Sequence, residues 1–189
     1  MSGTLIERGV TTIETDRLVL RPYEADDAPR VLDILGRAEV MKWLGGPPMA
    51  DLDEVTRWIS RRREREAADP FDLVRAIEVR QTGVVAGTVM MVRLVRLDND
   101  EFDGDYEIGW HLHPDSVGRG HATEAAGALL NDVFARGLAD VWCGMMPDNE
   151  RSLQVARRLG LPSLGTRSNP WYEGDGPLFH VTRDEWLSR

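Results

Sequence analysis

The sequence predicts an α/β domain in which a mixed β-sheet carries helices on both faces. Three observations point there. Two β-rich apolar runs flank a short Gly-containing turn, as in a hairpin. Other segments repeat their apolar residues at three- and four-residue spacing, as amphipathic helices do. In the C-terminal half the two kinds alternate, which asks for crossover connections and some parallel pairing. A chain of 189 residues suits one domain, residues 1–189, large enough to bury roughly two-thirds of its unfolded surface.

The elements follow in order. Leu18-Val19-Leu20-Arg21 reads as a strand closed by Pro22, and Ala28, Val31, Leu32 and Leu35 then share a helix face that ends near Gly36. Residues 43–48 are rich in Gly and Pro and break the chain. Asp51 is placed to cap a second helix, with Glu54 three residues on as its partner and Leu52, Val55, Trp58 and Ile59 as its apolar stripe. The run Arg61-Arg62-Arg63 with Arg65 falls in its last turns, where positive charge complements the helix dipole. Strands Leu73–Val79 and 84–95 flank the turn Gln81-Thr82-Gly83; the acidic stretch 97–104 is a loop; 106–113 is a strand stopped by Pro114.

A helix over 118–136 has Ala122, Ala125, Ala126, Leu129, Leu130, Val133 and Phe134 on its buried face, with Gly137 as its stop. A buried strand over 141–146 precedes a helix capped by Asp148 or Asn149, on which Ser152, Val155, Ala156 and Leu159 share a face. Weaker strands are expected near Leu161 and over 178–181. The total is six or seven strands and four helices.

Charge and composition exclude several functions. Acidic residues outnumber basic ones 32 to 23, for a net charge of −9. That field repels a phosphate backbone, so nucleic-acid binding is not expected. It suits cationic substrates, although acidity serves solubility equally well. Cys143 is the single cysteine and the 4 histidines are scattered, so neither a disulfide nor a metal site is expected. The first twenty residues carry Glu7, Arg8, Glu14, Asp16 and Arg17 and no apolar stretch of signal-peptide length. The longest apolar run, of about nine residues over 84–92, is too short to span a bilayer. A cytoplasmic protein without a membrane partner is expected.

The densest signal is Gly109-Trp110-His111-Leu112-His113-Pro114-Asp115-Ser116-Val117-Gly118-Arg119-Gly120-His121-Ala122-Thr123-Glu124-Ala125. It reads as strand, turn with two glycines, then helix. Two glycines alone justify no more than a tight turn. Placed before a helix, they also let amides of the turn and the first helical turn converge on an anion such as a pyrophosphate. A P-loop is excluded because no Gly-Lys-Ser/Thr follows. A dinucleotide fold is excluded because Thr123 stands where a third glycine is needed and no N-terminal βαβ unit precedes it.

The stretch from Glu107-Ile108-Gly109-Trp110 through Val117-Gly118-Arg119-Gly120-His121-Ala122-Thr123-Glu124-Ala125 resembles the acetyl-CoA motif of the GNAT superfamily of N-acetyltransferases. Asn149-Glu150-Arg151-Ser152 with Arg158-Leu159-Gly160-Leu161 resembles the family's second motif. Thr15-Asp16-Arg17-Leu18-Val19-Leu20-Arg21-Pro22 and Phe179-His180-Val181-Thr182-Arg183-Asp184-Glu185-Trp186 are similar to the branch containing the ribosomal-protein N-terminal acetyltransferases. These motifs cover nearly the whole chain in order.

The resemblance implies a three-layer αβα sandwich whose mixed, mostly antiparallel sheet is splayed at a cofactor cleft, here between 106–113 and 141–146. It implies acetyl-CoA as co-substrate, held by His111, Leu112, His113, Val117, Gly118, Arg119, Gly120, His121, Ala122, Thr123, Asn149 and Ser152. Asn149 is equally readable as a plain helix cap. Two departures from the family stand out: Asp115 where Gln or Arg is common, and Ala156 where many relatives carry a tyrosine acid.

Acetyl transfer to an amine needs a deprotonated amine, a stabilised oxyanion and a departing thiolate. Glu107 is the candidate base, or else a surface carboxylate. His111 and His113 share its strand parity as candidate proton relays, or are structural histidines. Ser152 is a candidate partner of the CoA sulfur, or a helix-capping residue. Trp43, Trp58, Trp171 and Tyr172 are candidates to line the acceptor pocket, or core and loop packing. The expected acceptor is a peptide N-terminus or an amine-bearing small molecule, and the expected assembly is a monomer or homodimer. A catalytically degenerate acyl-CoA-binding sensor is the alternative that Ala156 favours.

Overall fold

The computed structural model describes residues 12–189; Glu7 and Arg8, which entered the expectation about a leader segment, lie outside the described residues. The chain runs β1 (Ile13–Glu14), β2 (Leu18–Arg21), a 3-10 turn (Ala25–Asp27), α1 (Ala28–Leu35), α2 (Ala38–Met41), α3 (Leu52–Ala68), β3 (Leu73–Val79), β4 (Val84–Arg93) and β5 (Tyr106–Leu112). It continues through a 3-10 turn (Pro114–Ser116), α4 (His121–Ala135), β6 (Asp140–Gly144), α5 (Glu150–Arg158), β7 (Ser163–Arg167), β8 (Gly176–Thr182) and α6 (Arg183–Leu187). The eight strands form one sheet in the order β1-β2-β3-β4-β5-β6-β8-β7. Every pairing is antiparallel except β5 with β6. This is the mixed, mostly antiparallel sheet that the sequence resemblance implies. Among the described residues no helix is long and apolar enough to cross a membrane.

Strand alternation divides the sheet between two cores. Leu18, Leu20, Ile77, Val89, Met91, Tyr106 and Ile108 pack with Ala125, Leu129, Val133 and Phe134 of α4 and with Leu153 and Ala156 of α5. Val74, Ala76 and Val85 face the other way, onto Val31 and Leu35 of α1, Val40 of α2, and Val55 and Ile59 of α3. All seven residues expected on the inner face of α4 are buried. Phe134 is fully enclosed at 0 % exposure, so Phe134→Ala should cost ~3–5 kcal/mol of unfolding free energy. Urea denaturation of the two proteins measures it.

The departures from expectation have local causes. Helix α4 begins at His121 rather than 118 because Gly118 and Gly120 take φ of 78° and 80°, outside the helical region. One strand is added at the margin: β1 pairs through only two residues with β2, while the strand expected near Leu161 is β7, which lies outermost beside β8. Two short helices are added as well. In α6 the Thr182 side chain accepts the Glu185 amide and the Glu185 side chain accepts the Thr182 amide, a capping box.

One irregularity positions everything that follows. Pairing of β4 with β5 runs through seven residue pairs and that of β6 with β8 through five, whereas β5 and β6 meet only at Glu107 and Trp142. Beyond that point the two parallel strands part, and the sheet opens where the sequence resemblance places a cleft.

Candidate active site at the sheet opening

The turn after β5 ends in the N-terminus of α4, whose first amides have no carbonyl one turn back to bond. Positive φ at Gly118 and Gly120 turns the preceding backbone toward those amides. A side chain added at Gly118 would meet no atom within 4 Å, so the space in front of the loop is open. Arg17, Gly118, Gly120, Thr123, Glu124 and Arg158 line a cavity of about 480 Å³ there. Open space, amides and a helix N-terminus together suit a pyrophosphate. The arginines supply local positive charge in a chain whose net charge is −9.

The strand leading into this turn has one free edge. The His113 amide donates to the Ala86 carbonyl at 2.8 Å, and the Leu94 amide to the Asp105 carbonyl at 2.9 Å. Because hydrogen-bonding directions alternate along an antiparallel pair, and β4–β5 keeps register between these points, His111 turns its backbone groups to β4. Trp110 and Leu112 turn theirs toward the opening. A flexible chain lying there can pair with them as an added strand.

Glu107 stands where β5 and β6 part. Its Oε1 accepts the Gly144 amide across the gap at 2.8 Å, and its Oε2 accepts the Tyr172 hydroxyl. A Cβ at Gly144 would lie 3.2 Å from Glu107 Oε1, so a glycine there lets the carboxylate close up to β6. Burial pushes the Glu107 carboxyl up to about 7, against the two hydrogen bonds that favour its charged form. A group of that pKa takes up and gives back protons near neutrality. Burial also pushes the neighbouring Cys143 thiol up, as does the Glu107 charge, so Cys143 stays a neutral thiol.

The remaining expected residues separate into two groups. Val117, Gly118, Arg119 and Gly120 form the turn before α4 and His121, Ala122 and Thr123 its first turn, with Gly118, Gly120 and Thr123 lining the cavity. Asn149 sits across the opening, where its side-chain oxygen accepts the Ser152 amide at 3.2 Å and caps α5. Its side-chain N–H donors are not part of that cap. The two histidines of β5 are engaged elsewhere. His111 Nε2 lies 2.7 Å from Thr88 Oγ1, which lies 2.7 Å from the Tyr23 hydroxyl. Burial holds the His111 imidazole down at about 4, and hence neutral. Four residues along a strand also put it roughly 13 Å from Glu107, too far for direct proton exchange.

His113 is 6 % exposed, with Nδ1 accepting the Asp115 amide at 3.2 Å and Nε2 3.2 Å from Asp33 Oδ2. Asp115 in turn accepts from Arg30 at 3.1 Å. The Ser116 hydroxyl first, then His113 and Arg30, hold its carboxyl near 2. The unexpected aspartate thus braces the cradle turn against α1.

Ala156 is fully buried against α4, so its position faces the core. Trp58 packs edge-on against Tyr23 with centroids 5.4 Å apart, inside the second core. Trp43 lies under the Lys42 ammonium, 4.5 Å from its ring centroid. Trp171 is buried beside Trp142. Of the four candidate pocket aromatics, Tyr172 is the one that reaches Glu107.

Sequence reasoning missed the fastening of the cradle. Glu124 Oε1 accepts the Thr15 hydroxyl at 2.6 Å and the Arg17 amide at 3.0 Å, while Oε2 accepts Arg17 Nε at 2.6 Å. Arg17 Nη1 also donates to the Arg119 carbonyl at 2.9 Å. Burial pushes Glu124 up, but these hydrogen bonds outweigh it and hold the carboxyl below its ordinary value. The signal was an arginine in the N-terminal motif and a carboxylate in the central one, 107 positions apart, a separation no local spacing rule connects.

A sequence profile of the Acetyltransferase (GNAT) domain family matches residues 17–162. The uncharacterized N-acetyltransferase YnaD of Bacillus subtilis is 24% identical over 181 residues, covering 92% of this chain and 98% of that one. The solved structure of RimL, a ribosomal L7/L12 alpha-N-protein acetyltransferase in complex with coenzyme A, superposes with a TM-score of 0.75 at 18% identity, covering 91% of this chain and 98% of that one. Spermidine N-acetyltransferase from Vibrio cholerae, in complex with CoA and spermine, superposes with a TM-score of 0.72 at 15% identity, covering 92% of this chain and 99% of that one. With the opened sheet, the two-glycine cradle and a profile match over most of its length, the chain belongs to the acetyltransferase (GNAT) family.

Proposed function

We propose that the protein transfers the acetyl group of acetyl-CoA to a primary amine, a peptide N-terminus or a small-molecule amine, by direct attack. The observation that carries this reading is the Glu107 carboxylate at the point where β5 and β6 separate, bridging the gap to the Gly144 amide on the same sheet opening as the two-glycine turn before α4. In this reading the amides of Val117, Gly118, Arg119, Gly120, His121, Ala122 and Thr123 hold the pyrophosphate. The backbone edge at Trp110 and Leu112 and the Asn149 side chain hold the pantetheine arm. Glu107 takes a proton from the bound ammonium. The freed lone pair then attacks the thioester carbonyl and an N–C bond forms. As the C–S bond breaks, the second proton leaves the attacking nitrogen and is taken up by the departing thiolate, so that the amide and free CoA thiol are released. Backbone N–H groups at the sheet opening offset charge on the carbonyl oxygen as it becomes an oxyanion. In this reading Ser152, in the first turn of α5, donates a hydrogen bond from its hydroxyl to the departing sulfur.

The named activities of the two solved relatives, one toward a protein α-amine and one toward spermidine, bracket the acceptor class. The acidic surface of this chain favours a cation in either case. The test is release of free CoA thiol from acetyl-CoA in the presence of a short peptide with a free α-amine, of spermidine, and of an aminoglycoside. Amine-dependent thiol release with the first or second is the expected result. Binding of acetyl-CoA with no thiol release across the panel would overturn the proposal in favour of a sensor.

A further inference from the structure

The loop between β7 and β8 carries a tyrosine to the candidate base, and it is built to keep it there. Asn169 Oδ1 accepts the amides of Trp171 at 3.0 Å and Tyr172 at 2.8 Å. The Pro170 carbonyl accepts the Leu97 amide at 2.9 Å. Trp171 is 7 % exposed in a small core with Leu94 and Leu178, its ring 4.9 Å from that of Trp142 on β6. Trp142 is the residue that pairs with Glu107. The phenol that follows Trp171 therefore arrives beside Glu107 on a loop fixed from three sides.

The two members of the pair differ in access. Tyr172 is 44 % exposed, while Glu107 is half-buried with one donor on each carboxylate oxygen. A phenol that donates its proton keeps its oxygen lone pairs free to accept another. We propose that Tyr172 is a catalytic residue that conducts the amine's proton to Glu107: its oxygen accepts a proton from the acceptor ammonium while its own hydroxyl proton passes to the Glu107 carboxylate. One N–H bond breaks and one phenolic O–H forms; the old phenolic O–H breaks and a carboxylic O–H forms. No charge is left on the phenol, and the amine is ready to attack. The proposal rests on the amine-acetylation reading above.

This assignment differs from a role as acid to the departing thiolate. Burial first, and then the Glu107 charge, push the Tyr172 phenol far above its ordinary value. A phenol so reluctant to become a phenolate is a poor final donor to a thiolate. It is well suited to a concerted exchange that never forms the phenolate. The titratable groups facing Glu107 are the Tyr172 phenol from the β7–β8 loop and the Cys143 thiol from β6, and both are neutral near pH 7.

The test is Tyr172→Phe, which keeps the ring and deletes the hydroxyl, assayed by thiol release from acetyl-CoA with a short N-terminal peptide and with spermidine. The expected loss of kcat at pH 7.5 is roughly 10- to 100-fold, with the KM for acetyl-CoA unchanged. The acid limb of the rate profile should move to higher pH, because Glu107 loses a donor that favours its charged form. In a Glu107→Gln background the same substitution should add no further loss, since the two groups act in one transfer. Wild-type kcat with an unmoved limb, or a full additional loss in the Glu107→Gln background, would overturn the relay while leaving acetyl transfer intact. Absence of turnover in the wild type with either amine would overturn the underlying reading as well.

Discussion

Glu107→Gln should lower kcat by roughly 10²–10⁴-fold at pH 8, the range for loss of a positioned general base, with little change in acetyl-CoA affinity. The substitution is mild for the fold. A glutamine oxygen can accept the Gly144 amide as Glu107 Oε1 does, so the bridge across the strand gap survives. What disappears is the capacity to take up a proton. The wild-type pH dependence follows from the carboxyl's displacement to about 7. Below that pH the group is protonated and cannot act as a base; above it the group is charged and can. Turnover should therefore rise through pH 7 in the wild type, and that limb should be missing in Glu107→Gln. Steady-state rates from about pH 5.5 to 9 with saturating acetyl-CoA measure both. A variant that keeps wild-type turnover would reduce Glu107 to a spacer that holds β5 and β6 at their last common point.

The parts of the molecule that were legible in the sequence are those fixed by local periodicity and by short-range motifs. The inner face of α4 was readable because seven apolar residues repeat at helical spacing, and all seven are buried. The α3 cap was readable because Asp51 and Glu54 stand three apart, and Asp51 accepts the Glu54 amide at 2.8 Å. The α6 cap carried the same kind of signal in Thr182 and Glu185, but that stretch was read as a family motif and its helix went unassigned. The two glycines were readable as a tight turn, and both take positive φ just ahead of α4.

What escaped is long-range. Nothing near residue 172 announces that Trp171 anchors in a satellite core and sets its neighbour beside Glu107, because the partner strands lie about thirty to sixty-five positions earlier. The role of Asp115 was hidden for the same reason. Its partner Arg30 is 85 residues away, and only the folded sheet brings α1 over the turn. His111 shows the complementary lesson. Strand parity placed it on the same face as Glu107, but parity does not shorten the distance along a strand.

The second large effect is on the coenzyme. Gly120→Val should weaken CoA binding by roughly 100-fold, from the cost of a strained left-handed residue of about 1–3 kcal/mol. Gly120 caps α4 at φ 80° and ψ 2°, a conformation that β-branched residues avoid. Any added Cβ would also stand 3.3 Å from Arg17 Nη2, and that guanidinium is held by Glu124 and by the Arg119 carbonyl. Moving that guanidinium aside by a few tenths of an ångström strains the hydrogen bonds by which it fastens the loop. The variant therefore escapes by rotating residue 120 out of the left-handed region, which swings the preceding amides off their common focus. Because the free protein can relax in this way and the complex cannot, the cost falls on affinity more than on folding. Calorimetric titration with CoA should report the weaker binding while the unfolding midpoint in denaturant moves little. Gly118→Ala supplies the internal comparison: its φ is 78° but no atom lies within 4 Å of the new carbon, so it should bear the strain without the collision and lose less. Equal CoA affinity in the wild type and in Gly120→Val would mean that the phosphates are not held by these amides, and the cradle would have to be sought elsewhere on the sheet.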